Sequence, residues 1–123
     1  MVEDIAEIST DASAIKESHL TQNEQRIMSF SDDDYAVQII GLRQEKDVKS
    51  FIAKHSSTKM LYYKSTLAEK PWYIVILANY NTKEAAALAR LKLSEDLRKN
   101  GPWVKSVKII KNELSQAQQL FND

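Results

Sequence analysis

Cysteine is absent from the 123 residues, and glycine and proline occur only twice each. Each shortage excludes something. Without cysteine there are no disulfides, thiolate-bound zinc sites, iron–sulfur clusters or thiol nucleophiles. Gly41 and Gly101 are too far apart in the sequence to form either the three-glycine dinucleotide fingerprint or a phosphate-binding loop. Two histidines, His19 and His55, cannot supply a three-histidine metal centre. No run approaches the roughly 18–20 apolar residues of a membrane span. The start, Met1-Val2-Glu3-Asp4-Ile5, is acidic where a secretory signal is basic and then apolar. The chain therefore reads as soluble, with any targeting or membrane-anchoring segment lying outside it. No Ser-His-Asp set, HExxH or pair of carboxylates beside strand ends is present, so the expectation is a non-enzyme with no cofactor and no metal.

What is present is unevenly spread. Formal net charge is zero, yet residues 1–34 hold nine acids against two bases, and residues 35–114 hold fifteen bases against seven acids. The first twenty residues are polar and lack sustained apolar periodicity, which predicts a flexible acidic linker over 1–21. The basic remainder suits an anionic partner, or is simply a solvated lysine surface. Ser31-Asp32-Asp33-Asp34 reads as solvated linker; a calcium loop would need alternating acids and a glycine.

Gln22 to Phe30 predicts a short helix that docks on the domain. Tyr35 to Ile40 is rich in strand-forming residues, with Tyr35, Val37 and Ile39 on one face and Ala36, Gln38 and Ile40 on the other. Val48, Phe51, Ile52 and His55 repeat at helical spacing, with His55 as a capping or partly buried residue. Lys59 to Thr66 predicts a second strand and Pro71 opens a third, since proline is tolerated at a strand's first position. Asn81 or Thr82 caps an Ala- and Leu-rich helix. Ser94 caps a short turn that Asn100-Gly101 ends. Trp103 to Ile110 predicts a last strand, and 111–123 a frayed helical tail, of which 115–123 is the C-terminal tail. The order β-α-β-β-α-β is the split βαβ, ferredoxin-like pattern. It predicts an α+β domain, RNP-like in outline. Its four-stranded antiparallel sheet carries the helices on one face, with a short extra helix in front and strands one and three at the centre.

Both prolines precede a tryptophan: Pro71-Trp72 and Pro102-Trp103. In the third strand Trp72, Ile74 and Ile76 share one face and Tyr73, Val75 and Leu77 the other. If the latter set faces the helices, Trp72 stands on the bare face with Gln38 and Ile40. A flat apolar ring beside an amide suits a ring-shaped ligand with polar edges, a sugar or a base. The competing reading places both tryptophans in the core or its rim.

The ordered set Tyr35-Ala36-Val37-Gln38-Ile39-Ile40-Gly41, Pro71-Trp72-Tyr73-Ile74-Val75, Tyr80 and Gly101-Pro102-Trp103 resembles the SPOR (sporulation-related repeat) domain. The DamX-type branch of bacterial cell-division proteins is the nearer likeness, over residues 22–114. The resemblance implies binding of septal peptidoglycan at glycan strands stripped of their stem peptides. It also implies a periplasmic domain of a single-pass inner-membrane protein, a monomer enriched at the division septum, touching the membrane only through a helix outside this chain. Other division proteins are further implied partners; nucleic acid is not. The implied glycan-binding set is Gln38, Ile40, Gly41, Arg43, Trp72 and Trp103. Gln38 matches the family's first-strand glutamine and Trp72 and Trp103 its two tryptophans. Gly41 falls where relatives often have serine, Ala68-Glu69 replaces an Asn-Gly-like turn, and Ser94 replaces a common proline. The alternative is an RNA-binding module of RNP-like fold, whose third strand should carry a basic-Gly-aromatic-Gly-aromatic run; Trp72-Tyr73-Ile74-Val75-Ile76 has no glycine.

Overall fold

The computed structural model describes residues 20–121, so the acidic arm expected over 1–21 lies almost wholly outside the described residues. The elements are α1 (Gln22–Met28), β1 (Tyr35–Leu42), α2 (Glu45–Lys54), β2 (Leu61–Leu67), β3 (Lys70–Tyr80), α3 (Lys83–Leu91), α4 (Glu95–Arg98), β4 (Trp103–Ser106) and α5 (Val107–Phe121). The strands form one antiparallel sheet in the order β2-β3-β1-β4, which puts strands one and three at the centre as expected.

Local chemistry sets the helix starts. Thr21 and Glu24 form a reciprocal capping box on α1, satisfying two otherwise orphaned backbone donors. Thr82 caps α3 and Ser94 caps α4 through their hydroxyls. His55 is the C-cap of α2, its ring 4.8 Å from that of Phe51. The acidic run pairs with other side chains: Asp32 with Lys111, and Asp34 with the Asn79 amide.

The crossover helices cover one face of the sheet. There Val37, Ile39, Tyr62 and Val75 pack with Val48, Ala86 and Leu97. The opposite face differs from the bare one that the split βαβ pattern implies. It has its own core, in which Ala36, Tyr63, Ile74 and Ile76 pack under Ile27 of α1 and Ile110 and Leu114 of α5. The expected strand through Ile110 stops at Ser106. The Ser106 hydroxyl accepts from the Ile109 N–H at 3.2 Å, and the Val107 N–H donates to the Asp34 carbonyl at 2.9 Å. From there the chain is a fifteen-residue helix that begins at Val107, inside the expected strand, and runs through the expected helical tail to Phe121. Its buried Val107, Ile110, Leu114 and Ala117 recur at the three-to-four spacing of one helix face.

The β2–β3 hairpin turns through Ala68 and Glu69, with φ of 55° and 63°. Positive φ at both central residues is the pattern that Asn-Gly serves best, and a Cβ there costs about 1–2 kcal/mol per residue. Ala68→Asn combined with Glu69→Gly is therefore expected to raise stability by about 1–2 kcal/mol, measured as a higher urea midpoint at unchanged slope. A midpoint that stays put or falls would show that the turn stores no such strain.

β2 is an edge strand, and its Lys64 N–H donates to the Glu24 carboxylate of α1 at 2.7 Å. Glu24 is itself buried and already accepts from the Thr21 N–H.

Candidate functional site

A bulge in β1 decides which side chains reach the second face. Gln38 pairs with Ile76 and Ile40 with Val75, so Ile39 has no partner on β3 and the alternation slips by one residue. Such a bulge turns every later side chain to the other face. Gln38 stays on the face of Ile76, but Ile40 joins Val48 and Phe51 on the crossover-helix side. Gly41 takes its place opposite Ile74. The structure thus removes Ile40 from the set expected on one face and brings Gly41 in.

Gly41 is there because of a close approach. A Cβ on it would lie 2.4 Å from Cζ2 and 2.6 Å from Nε1 of Trp72, far inside contact distance. The indole therefore lies directly against the β1 backbone. It is partly buried and touches the second core. The Arg43 guanidinium sits 5.1 Å from its ring centroid, within cation–π range. The same guanidinium donates to the Leu67 and Pro71 carbonyls at 3.1 and 3.3 Å, which braces the hairpin. Gly41→Ala is expected to push the indole off the strand and red-shift its fluorescence, read in a Trp103→Phe background. Unchanged emission would mean that the backbone yields instead.

Trp103 pairs with Gln38 across β1 and β4 and is 49% exposed. Beneath it lies Lys105, whose Nζ is 5.4 Å from the Trp103 ring centroid. The Lys105 side chain is only 3% exposed, and its ammonium meets Glu113 Oε1 at 2.6 Å. It also donates to Gln38 Oε1 at 2.7 Å and to the Tyr63 hydroxyl at 3.2 Å. The Tyr63 hydroxyl in turn donates to Glu113 Oε1 at 2.6 Å. An ammonium has three donors, and all three are used. Burial pulls the Lys105 pKa down while Glu113 opposes that shift. Burial and the Glu113 carboxylate push the Tyr63 hydroxyl well above its ordinary value. Glu113 thus counters the effect of burial on Lys105 and adds to it on Tyr63.

α5 packs on this face through Ile110 and Leu114. On one flank Lys111 reaches the Phe30 carbonyl and Asp32. On the other flank Glu113 meets Lys105, and Gln116 and Leu120 line a cleft with Thr66 and Ala68. By strand register Gln38, Gly41, Trp72 and Trp103 lie on this same face, as two neighbouring groups: Trp103 with Gln38, and Trp72 with Gly41 and Arg43.

The family model described as the SPOR domain matches residues 31–106. The chain belongs to the SPOR-domain family. A relative in Serratia marcescens, Cell division protein DamX, is 22% identical over 90 residues, which cover 73% of this chain and 42% of that protein. The chain thus spans under half the length of that curated relative. This SPOR domain is of the DamX type, and its sheet order and crossover helices are those the resemblance implied. Its α1 and α5 lie outside the matched residues. Lys105 and Glu113 escaped the reading of single residues. Their signal was the Ser106 cap followed by apolar residues at 107, 110, 114 and 117, which marks a helix lying on the sheet and hence a partner for any buried lysine below it.

Proposed function

We propose that this SPOR domain is a non-catalytic module that binds peptidoglycan, at glycan strands lacking stem peptides, and brings a cell-division protein to the septum. The observation that carries the reading is the half-exposed Trp103 indole seated beside the Gln38 amide, with Trp72 and Arg43 along the same face. A pyranose offers an apolar face to an indole and hydroxyl and acetamido groups to an amide, as carbohydrate-sized ligands on shallow polar-edged sites require. Family membership and the name of the Serratia relative support the same role. Within the set, Trp103 carries the ring contact, Gln38 the polar contact, and Gly41, Trp72 and Arg43 form the adjoining ledge. Among the described residues no helix is long and apolar enough to cross a membrane. Periplasmic placement in a single-pass protein, with the domain acting as a monomer, is part of the proposal.

The RNA-binding alternative needs stacking surfaces at the middle of the two central strands. Here Ile74 and Ile76 of the central β3 are buried under α1 and α5, which leaves no such surface. The test is co-sedimentation of the chain with purified peptidoglycan before and after amidase treatment. Stronger sedimentation after the peptides are removed is expected. Equal sedimentation with both would refute the preference for stripped strands, and none with either would refute the role.

A further inference from the structure

The amide of Gln38 has a fixed orientation, and the reason lies in its neighbour. Lys105 Nζ has no lone pair to offer, so the group of Gln38 that faces it at 2.7 Å must be the carbonyl oxygen. That leaves Nε2 as the free end of the side chain, and among the described residues nothing accepts a hydrogen bond from it. Lys105 cannot swing away, because its side chain is 3% exposed and its other two donors are held by Tyr63 and Glu113. Glu113 is anchored by the Tyr63 hydroxyl as well. The Lys105 charge is met by the Glu113 carboxylate, so it is not presented to a ligand as a bare cation.

We propose that Lys105, held by Glu113 of α5, is a positioning residue that makes Gln38 a hydrogen-bond donor only, so that the platform selects sugars carrying an acceptor, the carbonyl of an N-acetyl group, beside the ring on Trp103. The selection rests on the peptidoglycan reading; the positioning of Gln38 does not. A freely rotating amide would accept a hydroxyl or an ammonium as readily as it donates to a carbonyl. A clamped one discriminates, because an ammonium brought to its N–H group leaves two donors facing each other.

Two measurements on the full chain separate these parts. The first needs no ligand. In the double variant Lys105→Met, Glu113→Gln the lysine clamp is gone, no carboxylate is stranded, and Tyr63 keeps an oxygen to donate to. The heteronuclear NOE of the Gln38 side-chain amide is expected to be high in the parent and to fall in the variant to that of the exposed Gln116 and Gln119, which serve as references in the same spectrum. An NOE equally low in the parent, or unchanged in the variant, would overturn the positioning. The second uses amidase-treated glycan strands, either fully N-acetylated or chemically de-N-acetylated. The parent should prefer the acetylated strands. Gln38→Glu keeps one oxygen on Lys105 and turns the other outward, so acceptor faces acceptor. Its affinity for acetylated strands is expected to drop about tenfold to a hundredfold, with a smaller loss, or a gain, for de-N-acetylated strands. Equal losses on both preparations, or no loss, would overturn the selection. Should the parent bind neither preparation, the peptidoglycan reading and the selection fall together, while the NOE still decides the clamp. Since Gln38→Glu leaves the lysine clamp in place, the second measurement stands even if the double variant does not fold.

Discussion

Trp103→Ala is expected to weaken binding to amidase-treated peptidoglycan by about tenfold to a hundredfold while leaving the melting temperature within a degree or two of the parent. The binding loss follows from stacking one aromatic on one flat ring, worth about 1–3 kcal/mol for bases, where about 1.4 kcal/mol is tenfold; a sugar face is taken to gain no more. The unchanged melting follows from exposure. At 49% exposed, Trp103 already leaves much of its surface in water, and the apolar contacts of β4 are made by Val104 and, through the helix that follows, Val107. Co-sedimentation and thermal melting on the same preparation check both halves. A variant that melts early would make Trp103 a structural residue. One that melts normally and sediments like the parent would move the ligand off the platform.

Leu114→Ala is expected to destabilise the domain by about 2–5 kcal/mol, the range for removing a buried leucine side chain without collapse of the space left behind. Leu114 is 1% exposed and packs with Ile110, Tyr63 and Ile76 across the second core. For a domain of about a hundred residues that loss corresponds to a fall in melting temperature of about 10–30 °C. It is also a sizeable part of an ordinary domain's total stability of about 5–15 kcal/mol. Denaturant titration reads it directly. A loss below about 1 kcal/mol would mean that residues 107–121 fray in solution and that the second face of the sheet is open.

The sheet, its order and its crossover helices were legible because their signals are local and periodic. Val37 and Ile39 alternate with Ala36 and Gln38, Val48, Phe51 and Ile52 recur at helical spacing, and Thr82 and Ser94 stand where caps are needed. The faces of Trp72, Ile74 and Ile76 followed from the same alternation. Ile40 did not, because a bulge is a property of two strands together. Nothing in Gln38-Ile39-Ile40 alone says that β3 will skip Ile39. The last element is ambiguous in the sequence for a different reason. Val104, Val107 and Ile110 satisfy a strand and a helix about equally over so short a span, and the deciding residue, Ser106, is a cap only if the chain turns there. Once α5 is a helix, Glu113 falls over Lys105, and the polar network under the platform exists. No motif at a fixed spacing joins Gln38, Tyr63, Lys105 and Glu113, which come from three strands and a helix. Gly41 stood out against the serine that the resemblance implied, but its cause, an indole resting on the backbone, is a tertiary fact.

The two borders of the sheet have a bearing on crowding. A strand border with free amides invites a second chain to add itself as another strand, and modules gathered at high density along one polymer would meet each other often. Neither border here is a good template. On β2 the Lys64 amide is taken by the Glu24 carboxylate, so an incoming strand would have to displace α1 and leave a buried acid without its partner. On the other side β4 is only four residues long before the chain turns into α5, a short edge that offers few free amides to a second chain. Copies crowded onto one polymer, as the proposed role requires, would therefore meet without zipping together into a shared sheet.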